Sequence, residues 1–329
     1  MAQIGSLQLE NQQLTIFQHL DNPELSNTID LYDGIPYPVF DPKDQQRPFV
    51  EREFTHKKQQ YQLTITPAQL KTKDNTIKKV YPGEREELVE QALRKLACEG
   101  QIRVYEKQAG VQFTLYQLQQ ELKAYKHTAS IVQIKEALEI CRRTAIDLVW
   151  EVGGRKSQSF GNLFHDMGLV TKADWNASGK ESHAYVVFHP LVTKSIIENS
   201  FRQINYVRYM KLKNYLSRWV YRKMSHNFIQ ADWKSSQYTL SPNTIVQGSG
   251  ISLYDSIPNT IRRVRRSLDQ LAKNDIITDY ETTPKKDGRR ISGAVFALHP
   301  SKSFTDDAIG SNITSRSHRW SKLADQLEQ

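Results

Sequence analysis

The chain lacks several features that would assign it to a familiar class of protein. It has only two cysteines in 329 residues, Cys98 and Cys141, both within apolar patterns of helical period. We expect buried thiols in a reducing cytosol, and no metal binding by this pair. No window approaches the roughly 18–20 consecutive apolar residues of a membrane span. The N-terminal residues also lack the basic and apolar regions of a secretory signal. These absences predict a cytoplasmic protein without membrane contact.

The residues needed for several enzyme chemistries are also missing. A nickase of the relaxase type needs two histidines alternating on one strand, and the nine histidines never occur at i and i+2. There is no P-loop sequence and no zinc-ligand spacing. His189 and His299 each precede a proline, which indicates the end of a strand rather than a catalytic role. We therefore expect a protein that is not an enzyme and that needs no cofactor and no metal.

Positive charge is concentrated in one region of the chain. Residues 201–300 contain 17 Lys and Arg against 7 Asp and Glu, whereas the first 200 residues are close to neutral. Such asymmetry indicates a polyanionic partner for the second half.

The chain contains an internal repeat. AYVVFHP at 184–190 matches AVFALHP at 294–300, Ser-Ile at 130–131 matches 256–257, and FTL at 113–115 matches YTL at 238–240. Each copy runs through two helical stretches to two strands, the order of a winged helix-turn-helix. The sequence therefore predicts an α+β protein with two tandem winged-helix domains.

The domain boundaries follow from composition and helical periodicity. Residues 1–80 are expected to form a polar, loosely ordered arm that includes one strand, YQLTIT. The first winged helix occupies 81–200, and the second occupies 201–300 and opens with a long helix over 202–229 that joins the two. The tail, 301–329, is expected to be flexible.

The segment 257–272 has the pattern of a DNA-recognition helix. Ser256 is a suitable cap and Pro258 stands in the first turn. The apolar residues fall in one arc: Ile257, Ile261, Val264, Leu268 and Leu271. The opposite side presents Asn259, Arg262, Arg263 and Arg266, with Arg265 on the flank. Arginine suits guanine and asparagine suits adenine in the major groove, so the four residues on this side are predicted to contact bases, and Arg265 is predicted to contact DNA from the flank. An ordinary solvated basic face is the alternative.

Three further groups of cations are predicted to contact DNA. Asp287-Gly288 is a tight-turn signal, and the hairpin around it would be a wing that carries Lys285, Lys286, Arg289 and Arg290. A stripe along the long helix would carry Arg208, Lys211, Arg218 and Arg222. In the first unit, Arg155 and Lys156 are predicted to contact the backbone. The helix at 130–143 presents Gln133, Glu136, Ile140 and Arg143, which suits a protein contact better than a groove.

The chain resembles the iteron-binding replication initiators of theta-replicating bacterial plasmids. The resemblance rests on YPGEREELVEQALRKLA at 81–97, on GVQFTLYQLQQELKAYKHT at 110–128, and on the helix and wing of the second unit. It implies that the second unit makes the main base contacts, through Asn259, Arg262, Arg263 and Arg266. It also implies that the first unit touches the other side of the repeat and mediates dimerisation. The implied partners are double-stranded origin DNA, a host replication initiator and the replicative helicase.

Two alternatives share parts of this pattern. A winged-helix transcriptional repressor without a replication role would have every DNA-binding feature described above. A replication enzyme, such as a primase or nickase, would need a metal-held carboxylate cluster or the missing histidine pair.

Overall fold

The computed structural model describes residues 24–105, 108–169, 184–197, 201–228, 237–251, 256–288 and 290–313. The helices are α1 (Asp30–Asp33), α2 (Glu84–Leu96), α3 (Leu115–Ala124), α4 (Ile131–Arg143), α5 (Pro190–Ile197), α6 (Tyr206–Lys211), α7 (Tyr215–Asn227), α8 (Pro242–Ser249), α9 (Ile257–Lys273) and α10 (302–313). The strands are β1 (Leu25–Ile29), β2 (Val50–His56), β3 (Gln59–Thr66), β4 (Ala68–Lys71), β5 (Ile77–Val80), β6 (Ile102–Tyr105), β7 (Gln108–Phe113), β8 (Ala145–Val152), β9 (Arg155–Asn162), β10 (Phe164–Gly168), β11 (Ala184–Phe188), β12 (Phe201–Asn205), β13 (Tyr238–Leu240), β14 (Ile277–Asp287) and β15 (Arg290–Pro300).

The predicted repeat is present as two winged helices. In the first unit, β11 lies between β10 and β7. In the second unit, β15 occupies the corresponding place between β14 and β13. The repeated Ser-Ile pair has the same role in both copies, because the hydroxyl groups of Ser130 and Ser256 accept hydrogen bonds from the first turns of α4 and α9.

The FTL and YTL triplets are not equivalent positions, although the sequence suggested that they were. Thr114 caps α3, accepting a hydrogen bond from the backbone N–H of Gln117. In the second unit the cap is Ser241, two residues beyond Thr239, and Thr239 lies inside β13. The two triplets therefore lie at the ends of corresponding strands, β7 and β13, but are offset by two residues.

The prediction of a loosely ordered arm is wrong for residues 24–80. This segment contains β1 to β5 and contributes to the core the side chains of Ile29, Tyr32, Val50, Leu63 and Ile65. The predicted strand YQLTIT lies in β3, the second strand of a sheet with the order β2-β3-β8-β9. Residues 1–23 lie outside the described part of the chain.

The predicted long helix over 202–229 is also wrong. Its first residues form β12, which pairs antiparallel with β1, and the rest is divided into α6 and α7. Two asparagines explain the division, because each caps a new helix. Asn205 Oδ1 accepts from the N–H of Arg208 at 3.0 Å, and Asn214 Oδ1 accepts from that of Ser217 at 2.8 Å.

The prediction of a flexible tail is wrong for residues 302–313, which form α10. The Phe304 ring is buried and contacts those of Tyr221 and Phe228 edge-on, with centroids 5.9 and 5.4 Å apart. The possible final turn at 320–327 lies outside the described residues.

Candidate nucleic-acid interface

Helix α9 forms where the sequence predicts it, with the predicted cap. Ser256 Oγ accepts a hydrogen bond from the N–H of Asn259 at 3.3 Å, and Pro258 stands in the first turn, where no helical partner for its missing N–H is required. Val264, Leu268 and Leu271 are buried, and Ile261 packs partly against the same core. The apolar side of the helix is therefore fixed to the second unit.

The centre of the buried arc of α9 is rotated from the predicted one by roughly 40° about the helix axis, at 100° per residue. Thr260 and Ser267 are buried, whereas Ile257 is only half-buried. The small hydroxyl residues let α7 approach closely: Ser217 Oγ donates to the Ser267 carbonyl at 3.0 Å, and Ser267 Oγ donates to Asn214 Oδ1 at 3.2 Å. This rotation brings Arg263 to the edge of the buried arc.

The outward side of α9 carries a set of exposed polar side chains. They are Asn259, Arg262, Arg265 and Arg266. No ion pair between these three arginines and a carboxylate occurs among the described residues. Arg263 differs, since it is half-buried and makes an interaction with another part of the protein. Three guanidinium groups and one amide thus face solvent on one helix.

The hairpin β14–β15 lies beside α9 and is bonded to it. Tyr280 of β14 donates its hydroxyl proton to Asp269 Oδ1 of α9 at 2.7 Å. Partial burial and the neighbouring carboxylate raise the pKa of Tyr280 to about 12, so the phenol keeps this proton at neutral pH. No signal in the sequence predicts this contact, because neither residue belongs to a recognised motif. It links the helix to the wing through one side-chain hydrogen bond.

The tip of this hairpin has the predicted tight turn. Gly288 takes φ +58°, and Asp287 pairs with Arg290 across the turn. Lys285 and Lys286 are exposed, at a register shift in β14. Arg289 and the side chain of Arg290 lie outside the described residues, so their predicted role stays a prediction.

Two of the four cations predicted along the long helix cannot reach DNA. Arg218 is fully buried, and its Nε and Nη2 atoms lie 3.0 Å from Glu87 and 2.8 Å from Glu84 of α2. Arg222 is buried too, with Nη1 3.4 Å from Glu87. The assignment of both to DNA contact is wrong, because the stripe faces α2 and its carboxylates neutralise it.

The other two cations of that stripe are on the surface. Arg208 lies 3.3 Å from Asp307 of α10 and donates to the Asp275 carbonyl at 2.8 Å, which ties it to the protein rather than leaving it available. Lys211 is exposed at the end of α6. A contact between Lys211 and DNA stays a prediction.

Arg155 and Lys156 follow the turn that joins β8 to β9. Gly153 and Gly154 make this turn with φ of +57° and +75°, and both cations are exposed. The hairpin is part of the β2-β3-β8-β9 sheet and projects beyond it. The two residues are thus placed where a backbone contact is possible.

Helix α4 does not present the face that the sequence suggested. Ile134, Leu138 and Cys141 are buried as predicted. Ile140, expected to be exposed, is also fully buried, because it packs against Ala68 and Leu70 of the β4–β5 hairpin. Val132 at the start of the helix is 76% exposed.

The described residues can also be searched for metal-ligand groups, reactive cysteines and membrane-spanning helices. Among the described residues, no three His, Cys, Asp or Glu side chains are grouped so that they could hold a metal ion. Both cysteines are free and buried, and burial raises the pKa of Cys98 to about 11. His189 follows the last residue of β11, as predicted, and His299 precedes the last residue of β15. Within the ranges that the structure covers, no helix is long and apolar enough to cross a bilayer.

Comparison with known proteins gives structural matches only. No family model matches the chain, and no curated protein matches it. A crystal structure of domains 2 and 3 of RctB, from selenomethionine derivatives, is similar with a TM-score of 0.50 at 8% identity, over 82% of this chain and 97% of that chain. A second crystal structure of RctB domains 2–3 has a TM-score of 0.49 at 8% identity, over 85% and 99%. A crystal structure of Pi initiator protein in complex with iteron DNA has a TM-score of 0.45 at 13% identity, over 66% and 91%.

The likeness to the first of these structures agrees with the predicted α+β fold. The fold of this chain is a tandem arrangement of two winged helices.

Proposed function

We propose that this protein is a sequence-specific, duplex-DNA-binding replication initiator that binds direct repeats at a plasmid origin. The observation that carries the proposal is the outward side of α9, where Arg262, Arg265 and Arg266 are exposed without carboxylate partners among the described residues. They stand beside the exposed lysines of a hairpin that is hydrogen-bonded to the same helix. The resemblance of residues 81–97 and 110–128 to plasmid initiators directs the proposal to replication.

The arrangement suits a division between base contacts and backbone contacts. A major groove about 12 Å wide admits a single helix, and guanidinium groups can bond guanine O6 and N7 together. Lys285 and Lys286, on the adjacent hairpin, would meet phosphates, which carry no sequence information. The bond between Tyr280 and Asp269 links the two elements. Arg263, which the sequence placed among the base contacts, has a smaller part in this proposal because it is half-buried.

The first unit is assigned backbone contacts and self-association. Arg155 and Lys156 are exposed at a hairpin tip. Two apolar side chains of the same hairpin support self-association: Val152, at the end of β8, is 57% exposed, and Phe160, on the outer strand β9, is 65% exposed. Outer strands with exposed apolar side chains favour pairing with another chain. The host initiator and the replicative helicase remain the proposed protein partners, on the resemblance alone.

The division of roles can be tested by selecting binding sites from a randomised duplex library. Arg266→Ala should relax the preference at one base position, with a loss of discrimination of about 1–3 kcal/mol. Lys286→Ala should weaken binding to all sequences alike and leave the selected site unchanged. If both variants weaken binding uniformly and still select the same site, the assignment of α9 to base contacts is wrong.

Replication and repression give different results in a maintenance assay. A plasmid that carries only this gene and its flanking repeats should replicate in a suitable host, and should be lost when Arg262 and Arg266 are both replaced by alanine. Binding to the repeats without maintenance would instead favour a transcriptional repressor.

A further inference from the structure

The β4–β5 hairpin carries a dense group of exposed lysines that the sequence analysis did not single out. They are Lys71, Lys73, Lys78 and Lys79. Asp74 is the only acidic residue between 68 and 80. The lysine ion pairs found among the described residues involve Lys57 and Lys95, and none involves these four ammonium groups. The hairpin therefore presents a net positive surface, and no carboxylate within the described ranges forms an ion pair with it.

The tip of this hairpin is built as a defined turn. The N–H of Thr72 donates to the Thr76 carbonyl at 2.9 Å, and the two threonine hydroxyl groups lie 2.6 Å apart. Asn75 takes φ +61°, a conformation that asparagine adopts more readily than most residues. The lysines at and beside the tip are thus carried on an ordered support.

The inner side of the hairpin is anchored on helix α4. Ala68 and Leu70 are buried against Ile140, and Val80 packs partly against the same cluster. Because side chains alternate along a strand, Lys71 and Lys79 stand on the opposite, solvent-facing side. Lys78 pairs with Leu70 and so stands on the anchored side, but its side chain is exposed there. The anchor fixes the position of the lysines relative to the first unit.

This anchor changes what the first unit can present to a partner. In its order along the chain, α4 corresponds to α9, the helix assigned to base contacts in the second unit. On its outward side, however, Ile140 is covered by the β4–β5 hairpin. Glu136 on the same side is already bonded, because its Oε2 accepts a hydrogen bond from Arg85 at 2.9 Å. The exposed surface over this part of α4 is the lysine hairpin.

We propose that the β4–β5 hairpin is a binding site for the phosphate backbone of duplex DNA, through which the first unit contacts DNA in place of α4. The inference rests on the proposed function, because it requires a duplex partner. Lysine ammonium groups act as flexible point charges and suit phosphates, which need no fixed bonding geometry. The contact would add affinity without adding sequence preference.

The salt dependence of binding measures this contact directly. Each phosphate contact contributes about 0.9 to the slope of log K against log salt concentration. The probe is a mixed-sequence duplex of about three helical turns, bound by the full chain with all four lysines replaced by glutamine. If all four contact phosphates, the slope should fall by about 3.6, so between 50 and 200 mM salt the wild type loses about 150-fold more affinity than the variant.

Two further variants control the measurement. Replacement of the four lysines by arginine keeps the charge and should restore the wild-type slope, which separates loss of charge from loss of structure. Arg155→Gln combined with Lys156→Gln removes two cations from the other hairpin of the same unit. An unchanged slope in the glutamine variant would overturn the proposal, whether or not the Arg155 and Lys156 variant changes it. In that case an acidic protein surface becomes the better partner for the hairpin.

The failure of this inference can be distinguished from failure of the proposed function. If the hairpin variant keeps the wild-type slope while Arg266→Ala relaxes base preference, only the hairpin assignment fails. If the wild-type chain shows no salt-dependent binding to any duplex, the proposed function fails as well.

Discussion

Arg218 and Glu87 form a fully buried ion pair that joins the two winged-helix units. Arg218 lies on α7 and Glu87 on α2, and the Nε and Oε2 atoms are 3.0 Å apart. Arg218 also donates to the Leu212 carbonyl at 2.9 Å. Burial raises the pKa of Glu87, and the guanidinium groups of Arg218 and Arg222 oppose that rise. The pair therefore fixes α7 against the first unit.

Replacing Arg218 by alanine should destabilise the protein strongly. The change leaves Glu87 buried without its main partner, and breaking a buried pair in this way costs about 3–5 kcal/mol. The free energy of unfolding, measured by urea titration, should fall by that amount. Arg265→Ala is the matched control, since Arg265 is exposed and its loss should change stability by no more than about 0.5 kcal/mol. Equal effects of the two variants would show that the ion pair contributes little.

Acidification should destabilise the fold through two buried histidines. Burial lowers the pKa of His226 to about 4 against the opposing effect of Asp30 and Asp33, and burial followed by the charge of His165 lowers the pKa of His189 to about 4. In the unfolded chain each takes up a proton near pH 6.5, while in the folded chain it stays neutral. Above pH 6.5, each neutral histidine therefore contributes its full share to the free energy of unfolding. As the pH falls from 6.5 towards 4, each histidine lowers that free energy by about 1.4 kcal/mol per pH unit.

The measurement for this prediction is the difference between variant and wild type. His189→Gln and His226→Gln should each flatten the dependence of unfolding free energy on pH between about 6.5 and 4. Single variants whose unfolding free energy depends on pH in this range as steeply as that of the wild type would contradict the prediction.

The cap of α9 should affect both stability and DNA binding. Ser256→Ala removes the hydroxyl that accepts from the N–H of Asn259, which costs about 1 kcal/mol. The first turn, which carries Asn259, should then be less ordered, and base preference should weaken with it. Ser256→Asp keeps an acceptor at the cap and should keep both properties. If Ser256→Ala lowers the stability but leaves the base preference unchanged, the cap does not contribute to base recognition.

Helix α10 should be part of the folded unit. Phe304 is 2% exposed and contacts Tyr221 and Phe228, so Phe304→Ala should lower the free energy of unfolding by about 3–5 kcal/mol. Ile313→Ala is a suitable comparison, because Ile313 is 63% exposed in the same helix. A loss below about 1 kcal/mol for Phe304→Ala would mean that the helix is dispensable.

The sequence predicted those elements whose signals are local. Helix α9 has a cap, a proline in its first turn and an apolar arc within one segment, and its hairpin has Asp287-Gly288 at the turn. Each of these signals acts through backbone preference within a few residues. Both elements are present in the structure, and the exposure of Arg262, Arg265 and Arg266 followed from the same pattern.

The errors concern residues whose environment is set by distant parts of the chain. The periodicity of their own segment predicts that Arg218 and Arg222 lie in a basic surface stripe. In the structure they pair with Glu84 and Glu87 of α2, which are more than 100 residues away in the sequence. A partial signal existed, since α2 carries several acidic residues with no basic partners at helical spacing in its first turns. Ile140 fitted an exposed position until the β4–β5 hairpin covered it. Periodicity describes an element by itself and does not identify what packs against it.

The pairing of β1 with β12 has a consequence for how the chain is made. Residues 25–29 align with residues 201–205, so the first strand must wait for about 170 further residues before its partner leaves the ribosome. At translation rates of about 5–20 residues per second this delay lasts roughly 10–35 s. During that time β1 has an unsatisfied edge, and a nascent chain paused within this interval would be a natural client for a chaperone.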